Sequence, residues 1–335
     1  MNDGPEIILK SIFQVCSIDD YDICCDYKII NSSKNFSYKL KIPCIHIHRE
    51  LIFLFKNYKK LTKYKKIVVF TYYSSPLLLF ILKILKLFKV EITIIGYDSF
   101  YRENRVKMQK QVKKHKQLPY YLKSLFLKFV EYLGSVASEN IYLVSKKCIQ
   151  FSKDRINPKG MYKHFPIIPT INNNLLSINK SFKTNQILIV GPFITDIDVI
   201  DLRINMKLIS ELNFIERVDF FGKDSEKVKH LSNYPGSVYS YVEDFDHFFS
   251  KNDRIVLFNR INTPGIQTRL QKIIMYNNLV YRHKDIDVGD YLNALSRNIT
   301  DLKNIKENNN QVKLEDIENA FNNTLSDFKL ITKDF

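Results

Sequence analysis

Two hydrophobic rhythms alternate along the chain. Short unbroken apolar runs that stop at glycine or serine are followed by stretches in which apolar residues recur every three or four positions. In the second half, Ile187-Leu-Ile-Val190 is such a run, flanked by polar KTNQ and closed by Gly191 and Pro192. A continuous run of this length predicts a parallel strand buried on both faces. The spacing then predicts a helix over about 200–212, with Ile200, Leu202, Ile204, Leu208, Ile209 and Leu212 as its apolar face. Further strands are expected at 217–221, ending at Gly222, at 237–242 and at 254–258, and a helix over about 266–276 leads to a strand at 279–281. The first half repeats the rhythm, with strands at 67–71, 91–95 (closed by Gly96) and 140–144 (closed by Ser145) and a helix over 119–136. Ser74-Ser75-Pro76 can start a helix, because proline is tolerated in a first turn. Strands near 8–15 and 26–31 and a helix near 49–60 continue the pattern, without a glycine-rich loop after the first strand.

Strands alternating with helices predict parallel sheets covered on both faces, with ligands at the carboxyl ends of the strands. The length of 335 residues suits two such domains. The polar stretch TINNNLLSINKSFKTN after Pro166-Ile-Ile-Pro169 has a linker composition. The expected division is a first domain at 1–170, a linker at 171–184, a second domain at 185–312 and a helix at 313–335 that packs back on the first domain. In that last helix Leu314, Ile317, Ala320, Phe321, Leu325 and Phe328 fall at helical spacing.

Charge changes the picture for one block only. Residues 51–150 hold 20 basic and five acidic side chains, a net +15 out of +16 for the whole chain. So local an excess points to an anionic partner. The segment RENRVKMQKQVKKHKQ followed by LPYYLKSLFLKF mixes lysines with aromatic and aliphatic residues, as suits an anionic membrane surface. Lys113, Lys114, Lys116 and Lys123 are its candidate membrane contacts. PLLLFILKILKLF is too short to span a bilayer. MNDGPEIILK has no basic region before an apolar stretch, so no secretory signal is expected. Five cysteines without metal-ligand spacing read as thiols in a reducing cytosol.

Four motifs in order carry a resemblance. SENIYLVS at 138–145 resembles the strand that closes the N-terminal domain of GT-B glycosyltransferases, and ILIVGPF at 187–193 the strand and loop that open their donor domain. VDFFGKD at 218–224 resembles their next strand. TPGIQTRLQKIIMYNNLVY at 263–281 resembles the segment written near GI-x-T-K-hydrophobic-x-E-A, although Lys272 stands where the family's ribose-binding glutamate usually falls and Asn262 near its first acidic position. The resemblance covers about 65–285 and is to the family-4-like enzymes of bacterial surface-polysaccharide loci. It implies two Rossmann-like domains facing a cleft. It also implies sugar transfer from a nucleotide-sugar donor to a lipid-linked or oligosaccharide acceptor, on the inner face of the cytoplasmic membrane.

Under that reading, Gly265 precedes a helix whose unpaired backbone N–H groups and dipole suit a diphosphate. Thr268 adds a hydroxyl, and Arg269 a fork for phosphate oxygens. Gly191 and Gly222 close strands at the same edge. Arg203 and Lys207, four apart, correspond to the family's basic residues for the departing diphosphate, Tyr241 to its base-binding position, and Lys272 to its ribose position. Asp98, with Glu103 as a substitute, is the candidate catalytic base on the acceptor side. His46 and His48 alternate but lack a third ligand, and His164 sits just before the linker. No metal and no cofactor is expected, because Asp196-Ile-Asp198 reads as a helix start and not as a metal motif. Three rival readings are a basic nucleic-acid-binding protein, a sugar-nucleotide epimerase of the same shape and a non-catalytic relative. No nucleic-acid motif supports the first.

Overall fold

The structure, a computed structural model, describes residues 24–25, 36–37, 59, 63, 65–70, 80, 83, 89–96, 99–109, 114–166, 180–261, 267–304 and 313–332. The chain divides into two units. One holds Met1–Met108, Lys113–Ile167 and Asp327–Phe335, and the other Gln109–Val112 and Ile168–Ser326. Both are α/β, with parallel sheets as the sequence pattern predicts.

In the first unit, β1 (Cys24–Cys25) and β2 (Phe36–Ser37) pair in parallel. A four-stranded parallel sheet follows the order β3 (Lys66–Phe70), β4 (Glu91–Gly96), β5 (Asn140–Leu143) and β6 (Tyr162–His164). Between β4 and β5 lie α1 (Phe100–Gln109) and α2 (Lys114–Ala137), and α3 (Lys146–Arg155) joins β5 to β6. Ile92 and Ile94 pack with Val90, Ile141, Leu143 and Cys148, which explains the unbroken apolar runs. The amino end of α1 is capped from α2, where Glu131 accepts from the Tyr101 amide (2.9 Å) and the Ser99 hydroxyl (2.8 Å). Buried Asn104 joins the same two helices through the Tyr120 carbonyl and the Ser124 hydroxyl. Lys83, one lysine of the basic block, pairs with Glu139. The strands expected near 8–15 and 26–31 lie outside the described residues, as do the helix after Ser74 except for helical Phe80 and Lys83, and the 49–60 helix except for helical Lys59.

In the second unit the chain runs β7 (Lys183–Val190), α4 (Asp196–Ser210), β8 (Arg217–Phe221), β9 (Val238–Tyr239), α5 (Phe245–Lys251) and β10 (Arg254–Phe258). It continues with α6 (Thr268–Met275), β11 (Val280–Arg282), α7 (Asp290–Asn293), β12 (Arg297–Asn298) and α8 (Leu314–Thr332). The six strands form one parallel sheet in the order β12-β11-β10-β7-β8-β9. Alternate residues of β7 face opposite cores: Ile187 and Ile189 meet Leu202 and Ile209, while Leu188 and Val190 meet Leu270 and Ile274. Strand β7 begins at Lys183, inside the stretch read as linker, of which 171–179 lie outside the described residues. The strand expected at 237–242 is confined to Val238–Tyr239. In α8, Ile317 and Ala320 join the second unit's core. The residues from Asp327 onward belong to the first unit, where Phe328 meets Phe165 edge-on at 5.2 Å.

The expected apolar face of α4 needs correction. Ile200 and Ile204 are exposed, and the buried face carries Asp198, Asp201, Leu202, Asn205, Met206 and Ile209. Three of the inward residues are polar because they hold the loop that follows β10.

Charge is also buried within the sheet. Asp219, fully buried in β8, accepts from Arg254 (2.7 Å), from Arg217 (3.0 Å) and from the Ser237 amide (2.5 Å). Arg254 also lies over the Tyr239 and Phe248 rings. Burying a carboxylate is costly unless it is paired and hydrogen-bonded, and here both conditions are met. A second buried clamp joins two helix ends. Lys180 Nζ donates to the carbonyls of Phe249 (2.9 Å) and Tyr276 (2.6 Å), and Asn278 Nδ2 reaches the same two carbonyls. Burial pushes the Lys180 ammonium down to about 8, against an opposing pull from Asp253.

Candidate functional site

The chain enters the second sheet at its centre, with β7, winds outward through β8 and β9, then returns to the other side of β7 with β10. The carboxyl ends of β7 and β10 therefore form a topological switch point, where open parallel sheets leave a crevice for ligands. The residues emerging there are Gly191-Pro192-Phe193 after β7 and Asn259-Arg260-Ile261 after β10.

Polar side chains hold this edge in place. Thr195 and Asp198 form a reciprocal capping box at the start of α4, so Asp196-Ile-Asp198 serves the helix start. The other oxygen of the same carboxylate works outward, with Asp198 Oδ1 accepting from Arg260 Nε at 3.0 Å. Buried Asn259 donates to the Asp198 carbonyl (2.9 Å), and Asn205 donates to the Asn259 carbonyl (2.6 Å). His283, just past β11, meets Asn205 Oδ1 at 2.9 Å. Asp201 accepts from the Ile261 amide (3.2 Å). A chain of hydrogen bonds thus runs from the end of β11 through α4 to the loop after β10, and fixes where Arg260 stands.

Arg269, in the first turn of α6, comes to the same edge and donates to the Gly191 carbonyl at 2.9 Å. Burial, and then the charge of neighbouring Arg260, lower its guanidinium below the ordinary arginine value. The two guanidinium groups and the Asp198 carboxylate paired with Arg260 carry a net positive charge that suits an anion. The planar guanidinium forks match phosphate oxygens. The start of α6 is anchored as well: the amide of its N-cap residue Gln267 donates to the Asp287 carbonyl, and Gln271 Nε2, within the helix, to that of Val288.

Of the residues singled out in the sequence, Gly191, Gly222 and Arg269 come together at this edge. Gly222 has φ +133°, and a Cβ there would lie 2.8 Å from the Gly191 carbonyl oxygen. Glycine is therefore required by the close approach of the two strand ends. Tyr241 lies two residues beyond β9 and is 75% exposed, so its ring is open to a partner. Arg203 and Lys207 make no hydrogen bond with this edge that the structure records. They lie on the exposed face of α4, opposite buried Asp198 and Asn205. Lys272 pairs with Asp246 of α5 at 2.6 Å and lies over the Phe245 ring. Gly265 and the Thr268 side chain lie outside the described residues.

In the first unit, Asp98, His46, His48 and Lys113 lie outside the described residues, as do the side chains of Lys114 and Lys116. Glu103 is half-buried in the first turn of α1, Lys123 is exposed on α2, and His164 ends β6 opposite Leu143. The sequence reading missed Arg260, Asn259, Asn205 and His283. One signal was present: Asn259-Arg260 follows a buried apolar strand directly, at the end where a parallel sheet binds its ligand.

No protein-family model and no curated protein matches the sequence at a significant level. Solved structures do match the fold. The chain is similar to sucrose-phosphate synthase from Thermosynechococcus elongatus, with a TM-score of 0.65 and 11% identity over 99% of this chain and 93% of that one. It is also similar to WaaG, a glycosyltransferase involved in lipopolysaccharide biosynthesis, with a TM-score of 0.56 and 11% identity over 99% and 92% of the two chains. What is shared at this identity is the fold.

Proposed function

We propose that this chain, which has the GT-B fold, is a glycosyltransferase that holds the diphosphate of a nucleotide-sugar donor at the switch point of its second sheet. The observation that carries the reading is the pair Arg260, held by the Asp198 carboxylate, and Arg269, held by the Gly191 carbonyl. In sugar transfer, negative charge builds on the departing diphosphate. Donors already in place at that point stabilise the transition state without reorganising. Arg260 takes the part that the resemblance assigns to Arg203 and Lys207. Tyr241 supplies a ring for the base. The start of α6, anchored at Gln267, meets the phosphates.

The finer reading concerns the acceptor. WaaG, similar in fold, acts in lipopolysaccharide biosynthesis. A lipid-linked or oligosaccharide acceptor of a bacterial surface polysaccharide, met at an anionic membrane, fits the +15 carried by residues 51–150. Transfer proceeds without a metal in this reading, since fixed arginines and a helix start do the work of a cation. Asp98 remains the proposed base, with Glu103 as its substitute.

The test is a thermal-shift screen of UDP-, GDP-, CMP- and dTDP-sugars, followed by calorimetric titration of the best nucleoside diphosphate. Arg260→Ala and Arg269→Ala should each weaken that binding by about 1.5–3 kcal/mol, roughly 10- to 150-fold. Wild-type affinity in both variants, with the fold intact by circular dichroism, would sink the assignment.

A further inference from the structure

We propose that the outer face of α2 is a membrane-docking surface whose apolar side chains enter the acyl region of a bilayer containing anionic lipid. The inference deepens the membrane partner named in the transferase reading and rests on that reading for its biological purpose.

Helix α2 is apolar on two sides. Its inner side buries Leu127, Val130, Leu133 and Ala137 against the first unit. Its outer side presents Leu118, Leu122, Leu125, Phe129, Tyr132 and Val136, each between 45% and 60% exposed. Their spacing alternates four and three residues, so at about 100° per residue they form one straight stripe. Tyr121 (51% exposed) and Phe126 (45%) widen it to an arc of about 140°. At a rise of 1.5 Å per residue the stripe is about 27 Å long. A contiguous exposed apolar surface of this kind marks a partner.

Charge selects the partner. Exposed Lys123 and Lys128 lie on opposite borders of the stripe, by the same 100° arithmetic. The only carboxylate in α2, Glu131, points to the far side and is engaged by Ser99 and Tyr101. The outward surface is therefore apolar with cationic borders and no anion. A second copy docked on this stripe would set lysine borders against lysine borders. An anionic bilayer neutralises them instead, while the lysine stems reach up to the headgroups and the aromatic and aliphatic side chains sink below. Among the described residues no helix is long and apolar enough to cross a membrane, so α2 would lie in the interface plane.

The chain contains no tryptophan, so a single introduced one reports its surroundings without background. In the full chain, Phe129→Trp should shift its emission to the blue on mixing with phosphatidylglycerol vesicles, and acyl-brominated lipid should quench it. Gln150→Trp, on exposed α3, should do neither. Flotation of the Leu125→Asp/Phe129→Asp variant should fall at least about tenfold for each side chain removed from the bilayer. Wild-type binding should partly survive raised salt, which a purely electrostatic contact would not. No emission shift at position 129, or flotation unchanged in the double variant, overturns the proposal. So does a wild-type dimer that these same substitutions split, since the stripe is then a self-association surface. Nucleoside diphosphate binding, measured in parallel, separates the two readings. If it persists while docking fails, the transferase assignment stands and only the membrane surface is lost.

Discussion

The two units share a parallel α/β plan and differ in where they keep their charge. In the first, the buried polar residues among those described are small and neutral: Thr93, Ser99, Asn104, Ser124, Ser135, Ser145 and Ser152. In the second, buried positions include Asp198, Asp201, Asp219, Lys180 and Arg282. Buried charges are tolerated only when partners are fixed around them, and fixed charges are what a diphosphate site requires. The first unit instead exposes lysines such as Lys123 and Lys128 beside an apolar helix face. Under the two proposals above, one plan serves for holding a small anion in the second unit and for meeting an extended surface in the first.

That contrast can be broken by experiment. The largest expected effect is at Asp219. Asp219→Ala leaves Arg217 and Arg254 without their shared anion and should lower stability by about 3–5 kcal/mol in urea denaturation. A loss near 1 kcal/mol would mean that the second unit does not depend on buried pairing. The next is a pH dependence at Lys180, with its folded pKa of about 8 below the ordinary 10.5. Between these values the unfolded chain binds more protons than the folded one, so Lys180 makes stability rise with pH. The gain is lost as pH falls to about 8 and is flat below it. The slope is at most about 1.4 kcal/mol per pH unit. Wild type should show this rise between pH 8 and 10 relative to Lys180→Met, and parallel curves for the two would refute it. The smallest effect is in the first unit, where Glu131→Ala removes a helix cap and should cost about 0.5–2 kcal/mol. A cost equal to that of Asp219→Ala would erase the distinction between the units.

The strands were legible because apolar runs such as Ile187–Val190 and Glu91–Ile95 need burial on both faces and stop at glycine. The face of α4 was not. Isoleucines at 200 and 204 looked like core, whereas Asp198, Asp201 and Asn205 take the inward positions through bonds to a loop 60 residues further along the chain. Periodicity weighs hydrophobicity and cannot see partners so distant in sequence. Arg269 was found because it follows a recognisable helix start. Arg260 was missed because its role depends on β10 lying beside β7, which is topology and not local pattern. In α2, helical spacing predicted the element but not its two-sided character, since the inner and outer apolar sets overlap in sequence.

The clamp of Lys180 and Asn278 has a consequence for cooperativity. The carbonyls of Phe249 and Tyr276 lie at or near the ends of α5 and α6, where helices ordinarily fray one at a time. Here both carbonyls are held by the same two side chains. Opening either helix end releases donors that also secure the other. The two ends therefore behave as one opening unit, and amide protons in their last turns exchange with solvent through a single shared event.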